Sequence, residues 1–167
     1  MIATVSSQEI AFAVVAVVGI LSAFRLVTTR NVVHGALYLV ITLAMVGAGY
    51  LVMAAEFVAW VQIVIYVGAI VVLLLFSLML TRAPIGREAL DNQQRGIAAV
   101  VALGVLAGLV VIIQGAFSGT TFTAQPTRTA QIGNAIFRHF VAPFEIVSVL
   151  LLGALIGAIA LARRDEP

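Results

Sequence analysis

The chain has 167 residues, of which 63% are apolar and only 10% are charged, and its formal net charge is +2. A soluble domain carries about 25% charged and about 45–50% apolar residues, and a disordered chain combines low hydrophobicity with high charge. Both classes are excluded, and the composition predicts an integral membrane protein. Cysteine is absent, so disulfides, thiolate metal sites and iron–sulfur ligation by this chain are excluded as well.

Five segments are apolar over the roughly 20 residues that a helix needs to cross a bilayer. They cover residues 10–27, 32–53, 57–80, 96–117 and 141–162. The second and third segments form one apolar block that is longer than a bilayer is thick, so the chain is predicted to fold back at residues 54–56. Asn31 stands directly before the second segment and predicts a helix N-cap. The sequence therefore predicts an all-α membrane protein with five transmembrane helices in a single membrane domain, residues 1–167.

Arginine placement predicts the orientation of these helices. Two of the nine basic residues, Arg128 and Arg138, fall on one side of the membrane. The other seven fall on the opposite side and are Arg25, Arg30, Arg82, Arg87, Arg95, Arg163 and Arg164. Because basic residues concentrate on the cytoplasmic side, the N-terminus is predicted to lie outside the cell and the C-terminus in the cytoplasm. The arginines form no cluster, so no nucleic-acid partner is expected.

The same orientation assigns the two long connections between spans. Residues 81–95 are predicted to be a cytoplasmic loop and residues 118–140 an external loop. Within the external loop, apolar side chains recur at helical spacing at Ile132, Ile136, Phe137 and Phe140. This pattern predicts a short interfacial helix that leads into the last span.

Ionisable groups within or beside a span are costly and mark candidate functional sites. Glu56, at the corner, is either an exposed interfacial carboxylate or one end of a proton path. Glu145 follows Pro143 and either stabilises the first turn of the last helix or belongs to the same path. Gln62 and Tyr66 are four residues apart, so they are expected to share a helix face and to bond to a partner helix or to water. Together these side chains form the candidate proton or water path.

Glycines interrupt several of the apolar runs. Gly68 either permits close helix packing or marks a local departure from α-helical geometry. Gly47 and Gly49 in the second span are interpreted as packing glycines. The pair Gly104 and Gly108 in the fourth span has the small-xxx-small spacing of helix interfaces in membranes.

Three strings in the chain resemble those of a known family. Residues 62–80, QIVIYVGAIVVLLLFSLML, resemble the third transmembrane helix of the J subunit of the bacterial respiratory NADH:quinone oxidoreductase, complex I, whose mitochondrial counterpart is subunit 6. Residues 31–40, NVVHGALYLV, resemble the start of the family's second helix, with Val32 where many members have proline. Residues 132–164, with the core PFEIVSVLLLGALIGAIALARR, resemble the fifth-helix region of many bacterial and plastid members.

This resemblance implies a place in the bacterial plasma membrane, in the membrane arm of a proton-pumping complex near its quinone-binding end. Partners would be the lipid bilayer and other membrane-arm subunits, especially H, A, K and N. No cofactor is implied in this chain, whereas NADH, FMN, iron–sulfur clusters and quinone are implied in partner subunits or at their interfaces. Electron transfer would then involve no catalytic residue of this chain.

The resemblance also implies a π-bulge in the third helix, an irregularity often found at functional sites. In this sequence the bulge is expected around Ile65, Tyr66, Val67 and Gly68. Its formation and loss would rotate half the helix and so open and close a water wire between the quinone cavity and the pumping subunits. Some members have a carboxylate where this chain has Gln62, which can orient water but carries no net charge.

Three other functions stay open at this point. Related membrane subunits occur in hydrogenase and cation/proton antiporter complexes, which share parts with complex I. A purely structural assembly subunit would have no proton role. A stand-alone transporter is disfavoured, because five unpaired spans do not form two inverted halves.

Overall fold

A computed structural model of the chain describes residues 6–81, 94–119 and 126–163. Every element in these ranges is helical, and five segments are long and apolar enough to cross a membrane. The five are Ser7–Thr28, Val32–Val52, Glu56–Leu80, Gly96–Phe117 and Val141–Ala162. The prediction of an all-α chain with five helices of spanning length is thereby confirmed.

The helices are α1 (Ser7–Thr28), α2 (Val32–Val52), α3 (Glu56–Val61), a π-helix (Gln62–Ile70), α4 (Val71–Leu80), α5 (Arg95–Phe117), α6 (Thr129–His139) and α7 (Val141–Ala162). We call Gln62–Ile70 the π segment and Glu56–Leu80 the third span. The chain divides into two compact units, Met1–Pro126 and Thr127–Pro167. Most of the predicted cytoplasmic loop, with Arg82 and Arg87, lies outside the described residues, as do Arg164 and residues 120–125 of the predicted external loop.

In the first unit, α2 packs against α1 and against the third span. Helix α1 begins with a capping box, in which the Ser6 hydroxyl accepts from the Glu9 amide and the Glu9 carboxylate accepts from the Ser6 amide. This cap extends α1 three residues before the predicted start of the span at residue 10. The Gln8 side chain donates to the Val52 carbonyl at 2.7 Å, which ties the start of α1 to the end of α2.

Small and hydroxyl side chains bring α1 and α2 together at mid-span. A Cβ atom at Gly19 would lie 3.3 Å from the Cβ of Met45, so the glycine allows a close approach there. Ser22 is buried, and its hydroxyl accepts a 3.1 Å hydrogen bond from the Thr42 hydroxyl. Both hydroxyls also lie within bonding distance of carbonyl oxygens one turn back on their own helices, so neither is left unsatisfied in the interface.

The chain reverses between α2 and the third span at the predicted corner. Ala54 has φ 59°, the left-handed conformation, and its amide donates to the Leu51 carbonyl at 3.0 Å. The Ala55 amide donates to the Tyr50 carbonyl at 2.9 Å. These two bonds form a Schellman motif, the usual end of a helix that reverses direction. At the other end of α2, the Asn31 side chain accepts from the backbone amides of two following residues, which confirms the predicted N-cap.

In the second unit, the short helix α6 leads directly into α7. Ile132 and Ile136 are half-buried on one side of α6. The rings of Phe137 and Phe144 meet edge to face, with centroids 5.2 Å apart. A short amphipathic helix before the last span is therefore present, and its interfacial position stays a prediction.

Candidate functional site in the third span

The third span changes its hydrogen-bonding pattern in the middle. The π segment covers nine residues between the α-helical ends of the span. At its end, the Val71 amide donates to the Tyr66 carbonyl, five residues back, instead of the four of an α-helix. Most π-helices are single-turn bulges, frequently at functional sites, so a segment of this length is unusual. It includes the four positions from Ile65 to Gly68.

The π segment changes which residues face α2. After Gln62, the buried or half-buried positions of the third span are 63, 67, 71, 75 and 78. A regular α-helix continued from Gln62 would place Tyr66 and Ile70 on that side. Each π turn contains more residues than an α turn. A residue that follows the π segment is therefore rotated away from the direction that it would have in a regular α-helix. Tyr66 is 45% exposed and Ile70 49%, whereas Val71 is 1% exposed.

Gln62 is the polar side chain at the packed end of the π segment. It is 8% exposed, and its amide nitrogen donates to the Leu43 carbonyl of α2 at 3.4 Å. This long hydrogen bond satisfies the buried side chain with a modest gain in stability. Gln62 and Tyr66 were expected on one face. They differ in burial because the π register turns Tyr66 toward the exposed side.

Gly47 allows this close approach of the third span to α2. A Cβ atom at Gly47 would lie 3.1 Å from Ile63 Cγ1 and 3.5 Å from Gln62 Cγ. The interpretation of Gly47 as a packing glycine is therefore confirmed. In the described part of the first unit, by contrast, no atom lies within 4 Å of a Cβ placed at Gly104 or Gly108.

Gly68 lies on the exposed side of the π segment. A Cβ atom there would lie 3.5 Å from the Ile63 carbonyl oxygen, an ordinary contact, and the described residues of the first unit place no other atom within 4 Å. Gly68 therefore does not mediate packing against α1 or α2. The small size of Gly68 therefore affects the backbone of the π segment itself or a contact with something outside the first unit.

The two candidate carboxylates occupy different units. Glu56 is exposed and is the first residue of α3, where no side chain caps the helix, so its charge stabilises the helix start. Glu145 is exposed in the second turn of α7, which begins at Val141 and not at Pro143, so the expectation that Glu145 stabilises the first turn is wrong. The first unit thus brings Glu56, Gln62 and Tyr66 onto one continuous span, and Glu145 lies in the second unit.

Sequence reasoning did not find every residue of the site. The Leu43 carbonyl, Ile63 and Val71 complete the packed side of the π segment. The sequence does contain one signal for this contact. A glycine in α2 leaves room for a close approach, and a single amide side chain in the next span can form a polar contact across it. Among the described residues, no three His, Asp or Glu side chains are grouped as a metal site would need.

Comparison with known proteins identifies close similarities over nearly the whole chain. The family model of NADH-ubiquinone/plastoquinone oxidoreductase chain 6 matches residues 22–161. F(420)H(2) dehydrogenase subunit J of Methanosarcina mazei is 37% identical over 163 residues, which cover 92% of this chain and 90% of that protein. NAD(P)H-quinone oxidoreductase chain 6 of Leptolyngbya boryana is 37% identical over 165 residues, 95% of this chain and 81% of that protein. Chain 6 of Synechocystis is 34% identical, with 95% of this chain and 82% of that protein covered.

Proposed function

The chain belongs to the family of NADH-ubiquinone/plastoquinone oxidoreductase chain 6, and from this premise we propose that its third span gates proton translocation driven by quinone reduction. The coarser role follows from membership alone. This is a multi-pass membrane subunit of a respiratory-type oxidoreductase complex. The proposal adds that the π segment is the moving part.

The register of the third span is the observation that carries this proposal. If one π turn converts to an α turn, every later residue rotates by about 100° relative to α2. Val71, now 1% exposed, would leave the interface, and Tyr66 and Ile70 would turn toward it. The contacts of Gln62 and Gly47 lie at the start of the π segment, before the turn that would convert. These contacts would therefore stay in place and form the fixed end of the hinge.

The proposed path runs along the polar groups of the third span. The Gln62 amide and the Tyr66 hydroxyl would orient water molecules, since neither side chain needs a charge to do so. Glu56 is the group that would exchange protons with that water, and Glu145 is a separate candidate proton carrier in the second unit. Rotation of Tyr66 toward or away from the interface with α2 would make or break the chain of water along the third span.

The surroundings of the chain are proposed from the same membership. We place it in the bacterial plasma membrane beside the H, A, K and N subunits, with its N-terminus outside. NADH or another donor, FMN, iron–sulfur clusters and quinone would be bound by partners. Relatives named for F420H2 and for NAD(P)H match this chain at equal identity. A role that does not depend on the electron donor explains this.

A matched pair of substitutions at Gly68 tests the gate. A Cβ fits at 3.5 Å from the Ile63 carbonyl oxygen, so Gly68→Ala should preserve activity. Gly68→Val adds branched methyl groups beside that carbonyl, and overpacking of this kind costs about 1–3 kcal/mol. The balance between the two helix forms would then shift by a factor of about 5 to about 150. Donor-driven quinone reduction and proton pumping should fall together in the assembled complex.

The same experiment separates the gate from a scaffold. Blue-native gels measure assembly, and proteoliposomes measure quinone reduction and pumping. If Gly68→Val assembles normally with electron transfer and pumping unchanged, the hinge assignment is wrong. The chain would then act as a structural subunit.

A further inference from the structure

A polar cavity lies where α1 ends and α2 begins, far along the chain from the π segment. Its volume is about 150 Å³, and its lining residues are Arg25, Thr28, Thr29, His34 and Tyr38. None of these side chains is acidic, and the described residues place no carboxylate against the Arg25 guanidinium. The cavity therefore presents a fixed positive charge together with hydroxyl and imidazole groups.

An apolar groove continues from this cavity along the same two helices. It has a volume of about 340 Å³, and Arg25 and Tyr38 line both spaces. Its deeper walls are apolar, with Val18, Leu21 and Ile41. Val18 lies ten residues before the end of α1, a depth of about 15 Å at about 1.5 Å per residue.

These dimensions match one leaflet of a bilayer, whose full hydrocarbon core is about 30 Å thick. The positively charged cavity and the apolar groove together extend over about 15 Å, with the charge at one end, which is the shape of a single amphiphile. A transmembrane helix of a partner would need a groove that continues through both leaflets.

We propose that this cleft binds one anionic phospholipid, with its phosphate at Arg25 and an acyl chain in the groove beside Leu21 and Ile41. Guanidinium groups match phosphate oxygens in charge and in geometry. The Thr29 hydroxyl already accepts from the Asn31 amide at 3.4 Å, so its own proton is available to a phosphate oxygen. The site is independent of the proposed gate.

Photolabelling of the purified complex tests this site. The probe is phosphatidylglycerol with a diazirine on one acyl chain, and labelled positions within residues 18–41 are mapped by mass spectrometry. One arginine near a membrane surface contributes about fivefold to the binding of an anionic lipid. Arg25→Gln should lower labelling by about that factor. Arg30→Gln is the control, since Arg30 is exposed and lines neither space, and it should change labelling less than twofold.

A second variant keeps the test valid if Arg25→Gln fails to assemble. Ile41 is 41% exposed, so Ile41→Trp fills the groove without entering the core and should also reduce labelling. Unlabelled phosphatidylglycerol should compete, and inorganic phosphate should not. Equal labelling in all variants would show ordinary boundary lipid and overturn the proposal. Competition by inorganic phosphate would identify a free-anion site and overturn it as well.

Discussion

Gly47→Ala is the substitution whose effect the structure defines most sharply. The new Cβ would lie 3.1 Å from Ile63 Cγ1, closer than side chains normally approach. Ile63 is branched at Cβ and stiff at χ1, so it cannot turn away freely. The overlap is therefore relieved by moving the third span away from α2 at the start of the π segment.

Two opposing terms set the size of this effect. Overpacking costs about 1–3 kcal/mol, and replacing glycine by alanine within a helix gains about 0.8–1.0 kcal/mol. The net result is a destabilisation of up to about 2 kcal/mol at the contact between α2 and the π segment. Since about 1.4 kcal/mol corresponds to a factor of ten, local opening there should become up to about 30-fold more frequent.

Hydrogen exchange of the π-segment amides in the purified complex measures that opening. Gly108→Ala is the matched control, because the described part of the first unit places no atom within 4 Å of its Cβ. It should gain helix propensity and leave exchange at Gln62–Ile70 unchanged. Slower or unchanged exchange at these amides in Gly47→Ala would refute the reasoning, since it would mean that the contact accommodates a methyl group without strain.

Three further predictions follow from the corner, the carboxylates and the orientation. Ala54→Gly should stabilise the chain reversal after α2 by about 1 kcal/mol, because glycine adopts a φ of 59° without the steric cost that alanine has. Hydrogen exchange of the Ala55 amide should therefore become slower. Glu56→Gln and Glu145→Gln should each reduce pumping partially while the complex still assembles, whereas full pumping in the double variant would assign both to the interface. The chain lacks cysteine, so an impermeant thiol reagent outside intact cells should label Ser118→Cys and spare Thr81→Cys, and the reverse pattern would invert the orientation.

The span boundaries were predictable because bilayer thickness and backbone chemistry determine them. The third span was predicted at residues 57–80 and is Glu56–Leu80. The corner was predictable for the same reason, since an apolar block too long for one crossing has to reverse where it is most polar. The first helix begins earlier than predicted, because the capping box of Ser6 and Glu9 orders residues that hydropathy does not mark.

The packed face of the third span was not predictable from the residues alone. Nearly every position after Gln62 is apolar, so the run has no polar stripe to indicate which side meets α2. A 3.6-residue period would select Ile70, and the structure buries Val71 instead because the π segment shifts the register. Resemblance to a family indicated where an irregularity belongs, but it did not identify Gly47 and Ile63 as the contact at its start.

The energetics of the π segment explain how a neighbouring subunit would control the proposed gate. Changing between i→i+5 and i→i+4 bonding leaves a carbonyl without its partner at the boundary, and in lipid such a group costs several kcal/mol. In the proposed gate, the exposed side of the segment, which includes Tyr66 and Gly68, would therefore need water or a hydrogen-bond donor from outside the first unit. Moving a two-state equilibrium from 1:99 to 99:1 takes about 5.5 kcal/mol. A partner that offers or withdraws hydrogen bonds to one or two such carbonyls would change the free energy by this amount, so in the proposed gate a rearrangement at the quinone site would switch the third span without any charge on Gln62.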